Sequence, residues 1–199
     1  MIANHIHDAL AQVRKLREIV LEKRLFKGYS GKARIVSGMV SLVGAATLSS
    51  DAISATPRAH LAGWCIVLIV GLVVNYAALA RWFLFSSEAG RDALMLKPAI
   101  DAVPALAVGA ILSMALILTA QYNLLFGIWM SLYGLAQMAY RQSMPPGIYA
   151  IGLCYVACGT FCLLWPGISF TNPWPMGIIF CLGELAGGCI LMKSARDVE

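Results

Sequence analysis

The chain has 199 residues, 60% of them hydrophobic and only 13% charged, with a formal net charge of +5. Soluble domains average about 45–50% apolar and about 25% charged, so the composition excludes an ordinary water-soluble domain and points to a polytopic helical membrane protein. The basic excess gathers on one side of the predicted membrane segments, which assigns it to a lipid surface and not to nucleic acid.

Two parts are expected: an N-terminal extension over 1–30 and a membrane domain over 31–199. In the first, residues 2–26 read as an amphipathic helix. Ile2, Ile6, Leu10, Val13, Leu16 and Val20 recur at three- and four-residue steps. Arg14, Lys15, Arg17, Lys23 and Arg24 mostly fill the other faces. Two placements compete. The helix lies on the cytoplasmic membrane surface, or it packs on a partner helix through a short heptad-like seam and supports a homo-oligomer or membrane complex. The heptad is not sustained, which favours the surface. No short apolar core precedes the charged residues, so no cleavable signal is expected. Two glycines in GYSGK, residues 28–32, break the helix.

Six apolar segments follow, at about 35–50, 61–80, 101–120, 124–140, 147–165 and 174–192. A crossing needs roughly 20 mostly apolar residues, so the expected fold is all-α, a bundle of six transmembrane helices. The first segment is short, and Lys32 and Arg34 are expected to snorkel at its inner end. Arg81–Pro98 reads as a cytoplasmic loop with a surface helix from Ser86–Ser87–Glu88 to Leu96. Gln121–Tyr122–Asn123 is a tight turn that makes segments three and four antiparallel neighbours. Proline and glycine mark the later breaks at 144–147 and 165–175.

With an inside N-terminus, 14 of the 15 basic residues fall on the cytoplasmic side and only Arg58 falls outside. The positive-inside rule therefore places both termini in the cytoplasm of a multi-pass protein, in a bacterial-type inner membrane. Trp64, Trp165 and Trp174 then sit near the outer interface and Trp82 near the inner one. A duplication is also suggested. Ser41–Leu42–Val43–Gly44–Ala45–Ala46 resembles Ser131–Leu132–Tyr133–Gly134–Leu135–Ala136, and Gly63–Trp64–Cys65 resembles Gly152–Leu153–Cys154. Three plus three helices would give repeats of opposite orientation, an arrangement many transporters share.

Glu184, in the middle of the last segment, is the strongest candidate for chemistry. Intramembrane carboxylates are costly and face protein or water, not lipid. It is either a proton, cation or substrate site or a structural acid bonded to a neighbouring helix. Candidate partners are Asn75, Gln137, Thr160 and Tyr155. Gly183 and Gly187, four apart, read as a close helix–helix contact. Asp101 reads first as a helix-start carboxylate at the inner interface and second as a transport residue. Asp51 and His60 flank the first outer loop and are expected to be solvated.

Cys154, Cys158 and Cys162 form a stripe on one helix. Joined by Cys181, they give a weak alternative of a soft-metal site. The stripe spans about 12 Å at 1.5 Å per residue, so free thiols in small-residue packing are the favoured reading, with no metal and no cofactor. His5 and His7 lie outside the membrane, which leaves a haem without ligands. No Walker loop, GxSxG elbow, HExxH or dinucleotide glycine pattern occurs. Three function classes follow. First comes a non-enzymatic scaffold, assembly subunit or small membrane oligomer. Next is a small transporter or channel for protons, cations or a small polar solute, built on Glu184. A membrane enzyme ranks last.

Overall fold

The computed structural model describes residues 12–13, 30–85, 100, 102–139, 141 and 144–196. The expected helix at 2–26, the loop helix at 86–96 and Asp101 lie outside them. Among the described residues all regular structure is helical. Their complete elements are the α-helices α1 Gly31–Leu48, α2 Pro57–Phe85, α3 Val103–Leu118, α4 Leu125–Ala139, α5 Pro146–Leu164 and α6 Trp174–Arg196, with a 3₁₀ turn at Tyr122–Leu124.

Local chemistry sets the boundaries. Ser30 caps α1 by accepting a 3.3 Å bond from the Ala33 amide, so the helix starts at 31 and includes Lys32 and Arg34. Prolines 57, 104, 146 and 175 stand in the first turns of four helices, where a missing N–H is harmless. No glycine or proline interrupts 72–85, and α2 accordingly runs through Arg81 and Trp82 to Phe85, past the expected loop start. The α3 terminus has the amide of Gln121 on the Leu116 carbonyl at 2.8 Å and that of Ala120 on the Ile117 carbonyl at 3.2 Å. This is a Schellman closure, and it holds Ala120 at φ 56°. A left-handed conformation costs a Cβ-bearing residue roughly 1–2 kcal/mol. Ala120→Gly should therefore stabilise the chain by about 1 kcal/mol, read as a rise in thermal midpoint in detergent; a lower midpoint would contradict it.

Among the described residues three helices, α2, α5 and α6, are long and apolar enough to cross a membrane. The others have 18, 16 and 15 residues and rise about 22–27 Å, against a hydrocarbon core of about 30 Å.

Neighbouring helices run antiparallel in the spatial order α2, α1, α6, α5, α4, α3. Two seams are backbone-to-backbone. Along α1 and α6, Gly31 meets Gly188, Gly38 meets Cys181 and Glu184, and Gly177 meets Ser41 and Ala45. Along α4 and α5, Gly127 meets Gly159 and Gly134 meets Gly152. In lipid, apolar side chains gain nothing by leaving the solvent, so close van der Waals approach of small residues is what joins helices. At the rim, α3 has no buried residue and α2 has only His60, Trp64 and Leu79. Trp64, expected near the outer interface, faces the protein interior. It is buried edge-on to Phe126, with ring centroids 5.8 Å apart. Phe126, Trp129 and Phe170 extend that aromatic core, and Asn123 pins the α5–α6 link by accepting from the Phe170 amide at 2.9 Å.

The two halves share a packing register. In α1 and α2, Gly44 faces Val67 and Gly63 faces Leu48; in α4 and α5, Gly134 faces Val156 and Gly152 faces Met138. First-helix positions are displaced by 90 and second-helix positions by 89, the same displacement that relates Pro57 to Pro146. Because α1 and α4 point in opposite directions, these matching contacts run in opposite senses in the two halves.

Candidate functional site

Antiparallel packing brings the first turn of α1, the last turn of α4 and the middles of α5 and α6 to one level. Arg34, Gln137, Tyr155 and Glu184 meet there, with Tyr133 one turn back along α4. The guanidinium grips the carboxylate in a fork: Arg34 Nε donates to Glu184 Oε2 at 2.8 Å and Arg34 Nη2 donates to Oε1 at 2.7 Å. Tyr133 and Tyr155 donate their hydroxyls to the same Oε1 at 2.8 and 3.3 Å. Gln137 Oε1 accepts from Arg34 Nη2 at 3.2 Å.

All of this is shielded. Glu184 is 3% exposed, Arg34 6% and Gln137 0%. Desolvating two charges costs several kcal/mol per ion, which is recovered only with good geometry and further hydrogen bonds. Here the fork is bidentate, the stronger form of the contact, and two phenols and the Gln137 carbonyl oxygen add further bonds, while Gln137 Nε2 is buried without a hydrogen-bond partner. What the arrangement does chemically is hold opposite charges together and clamp α1, α4, α5 and α6 at one level.

Several sequence expectations change here. Arg34 does not snorkel; it turns inward to Glu184, because a buried carboxylate without a counter-charge would cost more than burying the guanidinium beside it. Tyr155 bonds the carboxylate directly, and Gln137 reaches it through Arg34. Asn75 does not join them: its amide donates to Ser37 Oγ at 2.7 Å and to the Gly71 carbonyl at 2.9 Å, tying α2 to α1. Thr160 is spent on the Val156 carbonyl of its own helix. Asp101 lies outside the described residues.

Gly183 and Gly187 are not the backbone contact expected of them. A Cβ on Gly183 would strike the Tyr155 ring, and one on Gly187 would lie 2.8 Å from the Arg34 guanidinium carbon. They make room for the two side chains that hold Glu184, while Gly177 and Gly188 carry the backbone approach. The cysteine stripe runs from exposed Cys154 through half-buried Cys158 to buried Cys162, with Cys181 buried on α6; all are free thiols. Among the described residues no three His, Cys, Asp or Glu side chains gather closely enough to hold a metal ion.

Reasoning from sequence missed Arg34 and Tyr133. The available signal was Glu184 itself, since an intramembrane acid calls for a cation and Arg34 is the basic residue adjoining the first apolar segment. His60 also departs from expectation. It is 1% exposed, not solvated, and neither ring nitrogen has a partner. Asp51, its neighbour across the turn, is exposed as expected.

No family model matches the chain, and no curated protein and no solved structure shows significant similarity to it.

Proposed function

We propose that this chain is a six-span membrane protein of a bacterial-type inner membrane, with both termini cytoplasmic, that serves as a non-enzymatic scaffold or assembly subunit. The observation that carries the reading is the engagement of Glu184 by protein donors, three hydrogen bonds on Oε1 and one on Oε2. Its carboxylate is taken up by the Arg34 fork and two phenols in a packed setting, leaving little for a travelling ion to bind. The shorter helices span by local thinning of the bilayer, at fractions of a kcal/mol per Å of mismatch. Docking falls to the amphipathic stretch 2–26, on the lipid surface or on a second copy. Deleting 2–26 should leave the bundle inserted and reduce co-purification of a differently tagged copy at least several-fold. Full recovery of the second copy would refute the docking role.

The inverted register of the two halves favours a second reading, a small transporter for protons, cations or a polar solute, since inverted repeats recur in transporters. In proteoliposomes the scaffold reading expects no flux of protons or alkali cations above empty vesicles. Flux above empty vesicles from the parent chain would replace it with the transporter.

A further inference from the structure

His60 stands in the first turn of α2, at the end of the bundle away from Glu184, and Trp64 follows one turn later on the same face. Both side chains are buried. The two imidazole nitrogens and Trp64 Nε1 are sealed from solvent, and none of the three has a hydrogen-bond partner. Buried polar atoms without partners call for an explanation. A neutral imidazole is tolerable there, since it forgoes only its hydrogen bonds. An imidazolium is not. It would bring a full charge and two N–H donors into a packed site that offers them no acceptor. The first turn of a helix is also the positive end of its dipole, which opposes a cation.

The charges nearby do not relieve an imidazolium where the ring now sits. Asp51, on the turn after α1, lines an open cleft that His60 also borders, but the ring nitrogens are sealed from it. Arg58, exposed two residues earlier on α2, has the same sign as an imidazolium. The link before α6 brings Thr171 and Asn172 to the cleft, and both are uncharged. Tyr122 before α4 and Cys65 on α2 are the other titratable side chains at this end among the described residues, and neither type ordinarily ionises below about pH 7.5. Protonation of His60 therefore requires the start of α2 to move. Little holds it: α2 buries only His60, Trp64 and Leu79 along its length. Once moved, the imidazolium meets water, the Asp51 carboxylate and the hydroxyl oxygens of Ser49 and Ser50, which also line the cleft. The Trp64 N–H is hydrated by the same step.

We propose that His60 is an acid-sensitive latch: as a neutral imidazole it leaves the first turns of α2 seated on the bundle, and on protonation it releases them towards the cleft. The latch is separate from the Arg34–Glu184 cluster and stands whether the chain is a scaffold or a transporter. Seated, the sealed ring takes up no proton; released, it titrates as an ordinary imidazole near pH 6.5. The released form binds more protons, so it gains as pH falls. Between about pH 7.5 and about pH 5 the ratio of released to seated chains should rise about thirty-fold.

Hydrogen exchange of the full chain in nanodiscs tests this, with each rate corrected for its intrinsic pH dependence. Protection of the amides from His60 to Trp64 should fall about thirty-fold over that range, while protection of Gly152 to Val156 in α5 should not change. His60→Gln and His60→Leu do not titrate, and in both the 60–64 amides should keep their protection within about three-fold. A fall of less than about ten-fold in the parent overturns the proposal. So does an equal fall in both variants, which would assign the response to another group. An equal fall in α5 overturns it too, because the whole bundle would then be opening.

Discussion

Arg34→Ala should destabilise the protein by about 3–5 kcal/mol, because it leaves the Glu184 carboxylate buried without its counter-charge. The bond that is lost is a fork at 2.7 and 2.8 Å, and the vacated space faces Gly187. Glu184→Gln should be costly for the mirror-image reason: the amide matches the carboxylate in size but strands the Arg34 guanidinium. Replacing both, as Arg34→Met with Glu184→Met, removes the two charges together and should recover most of the loss. About 1 kcal/mol should remain for each phenol hydrogen bond to the carboxylate that is lost, with Tyr155 keeping the Phe180 carbonyl at 3.4 Å. Equilibrium unfolding in mixed micelles reads all four proteins. A double variant no more stable than Arg34→Ala would show that the cluster does not act as a charge pair.

Gly134→Ala is expected to loosen α5 from α4. The new methyl would lie 2.5 Å from the Gly152 carbonyl oxygen and 3.0 Å from the Tyr155 Cβ, and backbone cannot swing aside as a side chain can. Overpacking of this kind costs about 1–3 kcal/mol. Because Tyr155 rides on the displaced helix, its hydroxyl should also leave Glu184. Gly71→Ala is the matched control: the nearest atoms to its methyl are on Ser37 at 3.9 and 4.0 Å, ordinary contact, so its stability should match the parent within about 0.5 kcal/mol. Equal losses at both positions would mean that close approach along the α4–α5 seam does not decide the effect of the added methyl.

How far the sequence reached can be judged from particular residues. Glu184 could be singled out because a carboxylate inside an apolar stretch is conspicuous without any neighbour in view. Tyr155 and Gln137 could be named as partners because they are polar groups inside other apolar segments. Asn75 met the same criterion and failed, since α2 packs mainly on α1 and presents Asn75 to Ser37. Arg34 was misassigned for an energetic reason. A basic residue at a segment boundary can snorkel or turn inward, and the choice depends on whether an acid lies within reach.

The sequence by itself determined the all-helical, membrane-type character of the chain, the tight turn between α3 and α4, and the existence of a buried acid. Those follow from local quantities: run length, hydropathy, turn residues and the cost of a charge in an apolar segment. Tertiary structure decided which glycines carry backbone contact and which make room for side chains, because that depends on the residue opposite, up to 157 positions away in the pair Gly31 and Gly188. It also decided that Arg34 pairs with Glu184 and that His60 is buried at the cleft. Spacing along one helix sets the face a residue occupies, but only the packing of helices determines what that face meets.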